Sequence, residues 1–276
     1  MKHNLSDHAY ALQAVRHYDA GEALLLYFAP RHRRAAQTVL AAMKAELETI
    51  PAKARDPHIL PLRYQWWRDA VQEIAEGKTP RAHYVVKLLA AILAMHPFNA
   101  ADFTDWINSY AVQTLDPHAE TALQFIKAKA APTHIYFRLI TKLLETEKEE
   151  GKENEEVLTA LAAHSALHHF IGRMALNLRA GRSILPQDIL QNHEIRLQGL
   201  HDEDLPQKTA KAVKDLAAAL DELYECPRKH DLHHRYFQAV CKRVKLQKQA
   251  LQKENYNIFA PRVQQSDPLL ALKLLV

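Results

Sequence analysis

Apolar residues recur at three- and four-residue steps along most of the chain, and prolines and short polar stretches interrupt them. This period is typical of α-helices that bury one face. No internal repeat and no Gly/Ser-rich linker divides the sequence, so one domain over residues 1–276 is expected. Pro117 and Pro132 are placed in the first turn of their helices, where a missing N–H costs nothing. The spacing predicts helices over residues 8–27, 31–50, 62–76, 81–95, 101–113, 117–129, 132–148, 154–180, 186–192, 206–225, 229–253 and 266–275.

The composition agrees with an all-α protein. The 276 residues are 48% hydrophobic and 25% charged, which is typical of a soluble globular chain and excludes disordered and fibrous classes. The chain has 6 glycines, well below the usual frequency of about 7%. Because tight β-turns and strand bulges need glycine most, a mainly β protein is also excluded. The net charge of +4 is too small to indicate nucleic-acid binding.

Targeting signals are not evident. Cys226 and Cys241 form no CxxC motif, which fits a reducing compartment. The longest uncharged run, residues 157–172, is shorter than the roughly 20 apolar residues of a membrane-spanning helix. Charged residues interrupt the N-terminal stretch, so no secretory signal is expected. A protein of the bacterial cytoplasm is favoured, although a mitochondrial matrix protein that had lost an Arg/Ser-rich leader would have the same sequence features.

Sequence motifs for common cofactors are absent. No GxxxxGK[ST], GxGxxG or GxSxG pattern occurs, which sets aside phosphate-loop, dinucleotide-binding and serine-hydrolase functions. Two histidine pairs, His164/His168 and His230/His234, have the i, i+4 spacing that places two imidazoles on one helix face. Neither pair has a third ligand within reach in the sequence, and no HExxH occurs, so no metal site is predicted.

Two segments have biased charge. Residues 145–156 are rich in glutamate and are expected to form an exposed junction between helices. Residues 231–253 combine apolar positions at helical spacing with six lysines and arginines. Such a basic amphipathic helix could lie on an anionic membrane or a partner. A helix that packs on the core and exposes its basic side to solvent is the simpler interpretation.

The most informative stretch is LRYQWWRDAVQEIA, residues 62–75. Adjacent tryptophans usually pack in a core. The stretch also resembles the R-x-Q-W-W-R-D-A element of the squalene/phytoene synthase family. The matching residues are Arg63, Gln65, Trp66, Trp67, Arg68, Asp69 and Ala70.

Two further stretches extend the resemblance over the chain from about residue 31 to the end. Residues 181–195, GRSILPQDILQNHEI, are similar to the family element G-R-x-Y-L-P-x-D-x-L-x-x-x-G, and include Arg182 and Asp188 at matching positions. Ile184 and Glu194 depart from it, standing where the family has tyrosine and glycine. Residues 256–270 resemble the C-terminal end of one branch, the assembly factors of respiratory complex I.

Membership of this family implies an all-α, isoprenoid-synthase-like bundle of one domain around a central cavity. It also implies that catalytic members hold Mg²⁺ with two aspartate-rich motifs on facing helices, and that the metal neutralises the diphosphate of a prenyl substrate. Aspartates four residues apart share a helix face, as such a motif requires.

Both motifs are degenerate in this sequence. After Arg34, the acids before Asp56 are Glu46 and Glu48, which are not four residues apart. At the second motif, Arg173 and Asn177 stand at the aspartate positions, and residues 157–182 contain no carboxylate. A cation at one of these positions repels Mg²⁺. No catalytic residue, metal or other cofactor is therefore expected, and Mg²⁺ would be needed only if the protein were catalytic.

These observations give a leading hypothesis and two alternatives. The leading hypothesis is a pseudoenzyme that assists assembly of NADH:ubiquinone oxidoreductase (complex I). Its expected partners are complex I subunits or assembly intermediates. Its expected location is peripheral to the bacterial inner membrane, or else the matrix side of the mitochondrial inner membrane. One alternative is a prenyltransferase that condenses two prenyl diphosphates and uses Glu46 and Glu48 as metal ligands. The other is an isoprenoid- or lipid-binding protein without turnover. The candidate binding residues are Arg63, Gln65, Trp66, Trp67, Arg68, Asp69, Arg182 and Asp188, whose alternative role is to stabilise the bundle.

Overall fold

The computed structural model describes residues 6–54, 56–96, 98–115, 119–144, 153–179, 185–195, 204–264 and 270–275. All regular secondary structure within these ranges is helical, which confirms the predicted all-α class. The α-helices are α1 (Asp7–Tyr18), α2 (Ala20–Leu25), α3 (Arg31–Lys53), α4 (Leu60–Ala75), α5 (Tyr84–Met95), α6 (Ala100–Leu115), α7 (Ala122–Leu144), α8 (Glu155–Arg179), α9 (Gln187–Asn192), α10 (Leu205–Leu223), α11 (Arg235–Lys253), α12 (Pro261–Gln264) and α13 (Leu270–Leu275).

In the first 148 residues, two predicted helix boundaries are wrong. The predicted helix over residues 8–27 is interrupted at Asp19, whose extended backbone ends α1 and whose side chain accepts a hydrogen bond from the backbone N–H of Glu22, capping α2. The helices predicted on either side of Ala131 form one helix, α7, with Pro132 in its interior. Buried side chains such as Phe125 and Phe137 along α7 offset the backbone hydrogen bond that Pro132 removes.

The residues group into two compact units. The first comprises residues 1–116, 135–153 and 234–236, and the second comprises residues 117–134, 154–233 and 237–276. The expectation of a single domain over residues 1–276 stays a prediction. None of the helices in the described part of the chain is long and apolar enough to cross a bilayer.

Helix α3 runs through the interior of the first unit. Every residue from Ala36 to Ala45 is buried, so the middle of this helix has no solvent-facing side. Helices that are buried all round are ordinarily apolar throughout. This one carries Gln37 and Lys44 in its buried stretch, and their polar groups need partners inside the unit.

The second unit has an apolar core formed mainly by α8 and α10. Leu167, Ile171 and Met174 of α8 lie in one buried cluster with Val213 and Leu216 of α10. Helix α8 therefore supplies the second unit with a continuous buried face, and this face includes the first histidine pair identified in the sequence.

Candidate functional site

A buried lysine lies between two carboxylates in the first unit. The Nζ atom of Lys44 is 3.9 Å from Oε2 of Glu22 and 4.0 Å from Oε2 of Glu48, and all three side chains are at most 15% exposed. The ammonium also lies 5.4 Å from the ring centroid of Tyr136, a distance typical of a cation–π contact. Both carboxylates thus have the same cation as a neighbour.

Three buried tyrosines donate to the other oxygens of these carboxylates. The hydroxyls of Tyr136 and Tyr236 donate to Oε1 of Glu22 at 2.9 and 3.0 Å, and the hydroxyl of Tyr110 donates to Oε1 of Glu48 at 3.0 Å. Burial and the nearby carboxylates raise the pKa of each tyrosine well above its usual value. The hydroxyls therefore remain protonated donors at neutral pH. We call this set the Lys44 cluster: Glu22, Lys44, Glu48, Tyr110, Tyr136 and Tyr236.

Glu46 has partners of its own. Its Oε1 accepts a 2.6 Å hydrogen bond from the Tyr84 hydroxyl, and its Oε2 accepts one of 2.8 Å from the Lys53 ammonium. Burial would raise the pKa of Glu46, but the hydrogen bonds from Lys53 and Tyr84 outweigh it, and the pKa lies below its ordinary value. Glu46 is therefore a carboxylate whose two oxygens are both engaged by side chains of the first unit.

An aromatic group connects Glu46 with the tryptophan pair. The ring of His83 stacks on Tyr84 at a centroid distance of 4.8 Å. It makes T-shaped contacts with Trp66 and Trp67 at centroid distances of 5.6 and 5.3 Å. Burial lowers the pKa of His83, so its imidazole is neutral at neutral pH. The structure thus brings Glu46 and the two tryptophans of the motif into one neighbourhood.

The other residues of the tryptophan motif form hydrogen bonds on the surface of α4. Gln65 donates to Asp69 at 2.6 Å and accepts from Arg68 at 3.0 Å, and Arg68 also donates to Asn108 of α6 at 3.1 Å. Arg63 is exposed to solvent. The polar part of the motif therefore holds α4 against α6 and leaves Arg63 on the outside.

Arg81 fixes the segment that follows α4. Its guanidinium makes two 2.7 Å hydrogen bonds with the Glu73 carboxylate and donates to the backbone oxygen of Trp66 at 3.1 Å. It also lies 5.2 Å from the Trp66 ring centroid and 3.8 Å from Asp69. Paired N–H groups suit a carboxylate in this way. Arg81 consequently keeps Trp66 in place, which the sequence alone did not indicate.

The second unit holds the remaining candidates. Arg173 and Asn177 both lie on α8 and are partly exposed, and Arg182 falls outside the described residues. Asp188 accepts hydrogen bonds from the backbone N–H groups of Ala122 and Ile189 at 2.9 and 2.6 Å. Asp188 thus caps the start of α7, which is a structural role.

The two histidine pairs differ from each other in the structure. His164 and His168 lie on α8 with parallel rings, and Nε2 of His164 is 2.9 Å from the backbone oxygen of Tyr224. Burial lowers the pKa of both imidazoles, that of His168 to about 3. The placement of His230 and His234 on one helix is wrong, because His230 lies in a short 3₁₀ helix and α11 begins only at Arg235.

The charged segments are described only in part. Most of the acidic segment 145–156 falls outside the described residues. In the basic segment, Lys242, Lys245 and Lys248 of α11 are only partly exposed, and Lys248 makes 2.6 and 2.7 Å contacts with the Asp221 carboxylate. At least one of these cations is therefore engaged within the second unit.

The positions at which the family resemblance implies metal ligands carry side chains with other partners. Magnesium prefers carboxylate and water oxygens in an octahedral arrangement. Glu46 is engaged by Lys53 and Tyr84, Glu48 lies beside the Lys44 ammonium, and the second motif offers a guanidinium and an amide. In the part of the chain that the structure describes, no group of three or more His, Cys, Asp or Glu side chains could hold a metal ion.

The Lys44 cluster is not recognisable as a unit in the sequence. Lys44 and Glu48 are four residues apart on one helix, and this spacing is a signal for their pairing. Glu22, Tyr136 and Tyr236 come from distant parts of the chain, and no spacing in the sequence indicates that they meet. Their convergence follows from tertiary packing alone.

The helical fold matches that of isoprenoid-synthase-like proteins. A crystal structure of a dehydrosqualene synthase in complex with a ligand superposes with a TM-score of 0.76 at 13% identity, over 98% of this chain and 94% of that chain. The squalene synthase HpnC from Alicyclobacillus acidocaldarius superposes with a TM-score of 0.64 at 12% identity, over 91% of this chain and 95% of that chain.

Sequence comparison assigns the family. The model of the squalene/phytoene synthase family matches residues 15–242, well over half of the chain. The chain therefore belongs to the squalene/phytoene synthase family. A search of curated protein sequences gives no match.

Proposed function

We propose that this chain is a non-catalytic member of the squalene/phytoene synthase family that assists assembly of respiratory complex I. The non-catalytic role is supported by one main observation: the carboxylates of Glu46 and Glu48 contact lysines and tyrosines of the first unit. Arg173 and Asn177 add no metal-binding carboxylate. The assembly role is supported by the resemblance of residues 256–270 to the assembly-factor branch.

The proposed partner is a subunit or assembly intermediate of complex I. Arg63 and Gln65 are the exposed members of the tryptophan motif, whereas Trp67 is buried. Gln65 is hydrogen-bonded to Asp69 and Arg68. A binding role for this motif therefore concerns Arg63 first. Arg182 and the partly exposed Trp66 complete the proposed binding residues.

Affinity capture from the native organism tests this role. The tagged full chain is expected to capture subunits of NADH:ubiquinone oxidoreductase, and deletion of its gene is expected to lower NADH-driven ubiquinone reduction in isolated membranes. Complementation with the wild-type gene is the control. Normal complex I activity in the deletion strain, with no complex I subunit among the captured proteins, contradicts the proposal.

A second candidate is a prenyltransferase, which membership of the family favours. In that case Glu46 and Glu48 would have to exchange their present partners for Mg²⁺. A protein that binds an isoprenoid or lipid without turnover is a third candidate. Thermal stabilisation by farnesyl diphosphate without product would distinguish it from the second, because a ligand that binds only the folded state raises the melting temperature.

Peripheral membrane attachment is part of the proposal and rests on α11. Its lysines and arginines would attract anionic lipids, and salt would screen that attraction. Co-sedimentation with anionic liposomes at low salt, lost at moderate salt and absent with neutral liposomes, is the expected result. Absence of co-sedimentation at low salt would contradict membrane attachment. The ion pair between Lys248 and Asp221 reduces the positive charge that α11 has available for binding anionic lipids.

A further inference from the structure

The Lys44 cluster divides the four carboxylate oxygens between two kinds of partner. The Oε1 atoms of Glu22 and Glu48 accept hydrogen bonds from tyrosine hydroxyls. The Oε2 atoms of the same residues both lie at about the same distance from the Lys44 ammonium, 3.9 and 4.0 Å. The tyrosines therefore orient the carboxylates, and the lysine supplies the positive charge between them.

Burial makes this charge necessary. Two carboxylates in a water-poor interior are costly unless a cation lies close to them. The tyrosine hydroxyls are neutral, so they provide hydrogen bonds and no compensating charge. Lys44 is itself 8% exposed, so solvent screens its interaction with Glu22 and Glu48 only weakly.

We propose that Lys44 is a built-in cation that stands where Glu22 and Glu48 would otherwise hold a divalent metal ion. The proposal rests on the proposed non-catalytic function, because a chain that depended on Mg²⁺ at α3 would not gain from an ammonium there. Mg²⁺ in proteins is often held by one or two carboxylates and keeps several waters. Glu22 and Glu48 could provide the two carboxylates once the lysine is removed. The stability of the wild-type cluster is consequently independent of divalent ions. Glu22 and Glu48 form a latent metal site, which the Lys44 ammonium occupies.

Thermal unfolding of Lys44→Ala tests this inference. Removing the ammonium deprives the buried Glu22 and the largely buried Glu48 of this cation, and we expect the melting temperature to fall by about 10 °C. Addition of 10 mM MgCl₂ or CaCl₂ is expected to restore about 4 °C if the ion binds with a Kd of about 1 mM. The wild-type melting temperature is expected to stay unchanged in the same solutions, with NaCl of equal ionic strength as the salt control.

Lys53→Ala is the matched control variant. Lys53 also pairs with a glutamate of α3, Glu46, but its side chain is 52% exposed. Its removal is expected to change the melting temperature by no more than about 2 °C and to create no response to divalent ions. A cation response in Lys53→Ala equal to that in Lys44→Ala would overturn the inference.

A double variant covers the case in which Lys44→Ala does not fold. Lys44→Met combined with Glu48→Gln removes one carboxylate charge together with the ammonium and is expected to melt above Lys44→Met alone. Stabilisation of the wild type by Mg²⁺, or a double variant no more stable than Lys44→Met, would contradict the inference. Because the readout is unfolding, this failure is distinguishable from failure of the proposed function, which would appear as product formation by the wild type.

Discussion

At the scale of single residues, the unusual feature is a charged cluster inside the first unit. Glu22 receives two tyrosine hydroxyls and lies near an ammonium, although its side chain is only 9% exposed. Hydrogen bonds to a buried charged group contribute more than those between neutral groups, about 1.5–3 kcal/mol each. Individual hydroxyls of the cluster should therefore have measurable effects on stability.

Removal of one hydroxyl tests this directly. Tyr236→Phe is expected to lower the free energy of unfolding by about 1.5–3 kcal/mol, because Oε1 of Glu22 loses the hydroxyl donor of Tyr236 while the ring is retained. Urea denaturation measures the change. Tyr10→Phe, at a position that is 45% exposed, is the control and should change stability by less than about 0.5 kcal/mol. Equal effects of the two substitutions would contradict the importance of the cluster.

The buried histidine pair predicts a dependence of stability on acid. Burial and the neighbouring His164 and Lys248 lower the pKa of folded His168 to about 3 from 6.5. The unfolded chain binds a proton at this residue as the pH falls below 6.5, while the folded chain does so only near pH 3. Folding stability is thus greatest above pH 6.5 and falls between 6.5 and 3, by up to about 1.4 kcal/mol per pH unit for this residue.

Urea denaturation between pH 7.5 and 5 measures this slope. His168→Gln is expected to show a smaller loss of stability over that interval than the wild type, whatever its stability at pH 7.5. The exposed His32→Gln is expected to keep the wild-type slope. An unchanged slope in His168→Gln would show that the imidazole is not held neutral by burial.

At the scale of elements, the residues of the tryptophan motif on α4 differ in exposure, which allows a structural role to be distinguished from a binding role. Trp67 is 5% exposed, whereas Arg63 is exposed, although both belong to the same motif. Trp67→Ala should lower the free energy of unfolding by about 3–5 kcal/mol, because it leaves a large cavity. Arg63→Ala should change it by less than about 0.5 kcal/mol and should reduce capture of complex I subunits. Full capture by Arg63→Ala would remove this residue from the proposed binding surface.

The helices show what local sequence can and cannot predict. The apolar spacing correctly indicated α3, α4 and α8, because each has a long periodic stretch. It failed at α7, where Pro132 suggested a helix start and tertiary packing keeps the helix continuous. The residues of the tryptophan motif could be selected from the sequence, whereas Glu22 and Tyr236 lie 214 positions apart and meet only through the fold.

At the scale of the whole molecule, the chain combines the fold of the squalene/phytoene synthase family with side-chain partners at Glu46 and Glu48 that compete with a metal ion. The family match over residues 15–242 and the TM-score of 0.76 describe the family and the helical fold. The partners of Glu46 and Glu48 concern the chemistry, and they are lysines and tyrosines. The proposed assembly role depends on this combination of a family fold with carboxylates that are engaged by lysines and tyrosines.

Incubation of the purified protein with farnesyl and geranylgeranyl diphosphates, Mg²⁺ and NADPH tests this account most directly. Diphosphate release and C30 or C40 products are followed together, with a catalytic relative as the positive control. The account predicts no release above a sample without protein while the relative is active. Release above that background, lost in Glu46→Gln or Glu48→Gln, would contradict it and establish the prenyltransferase function instead.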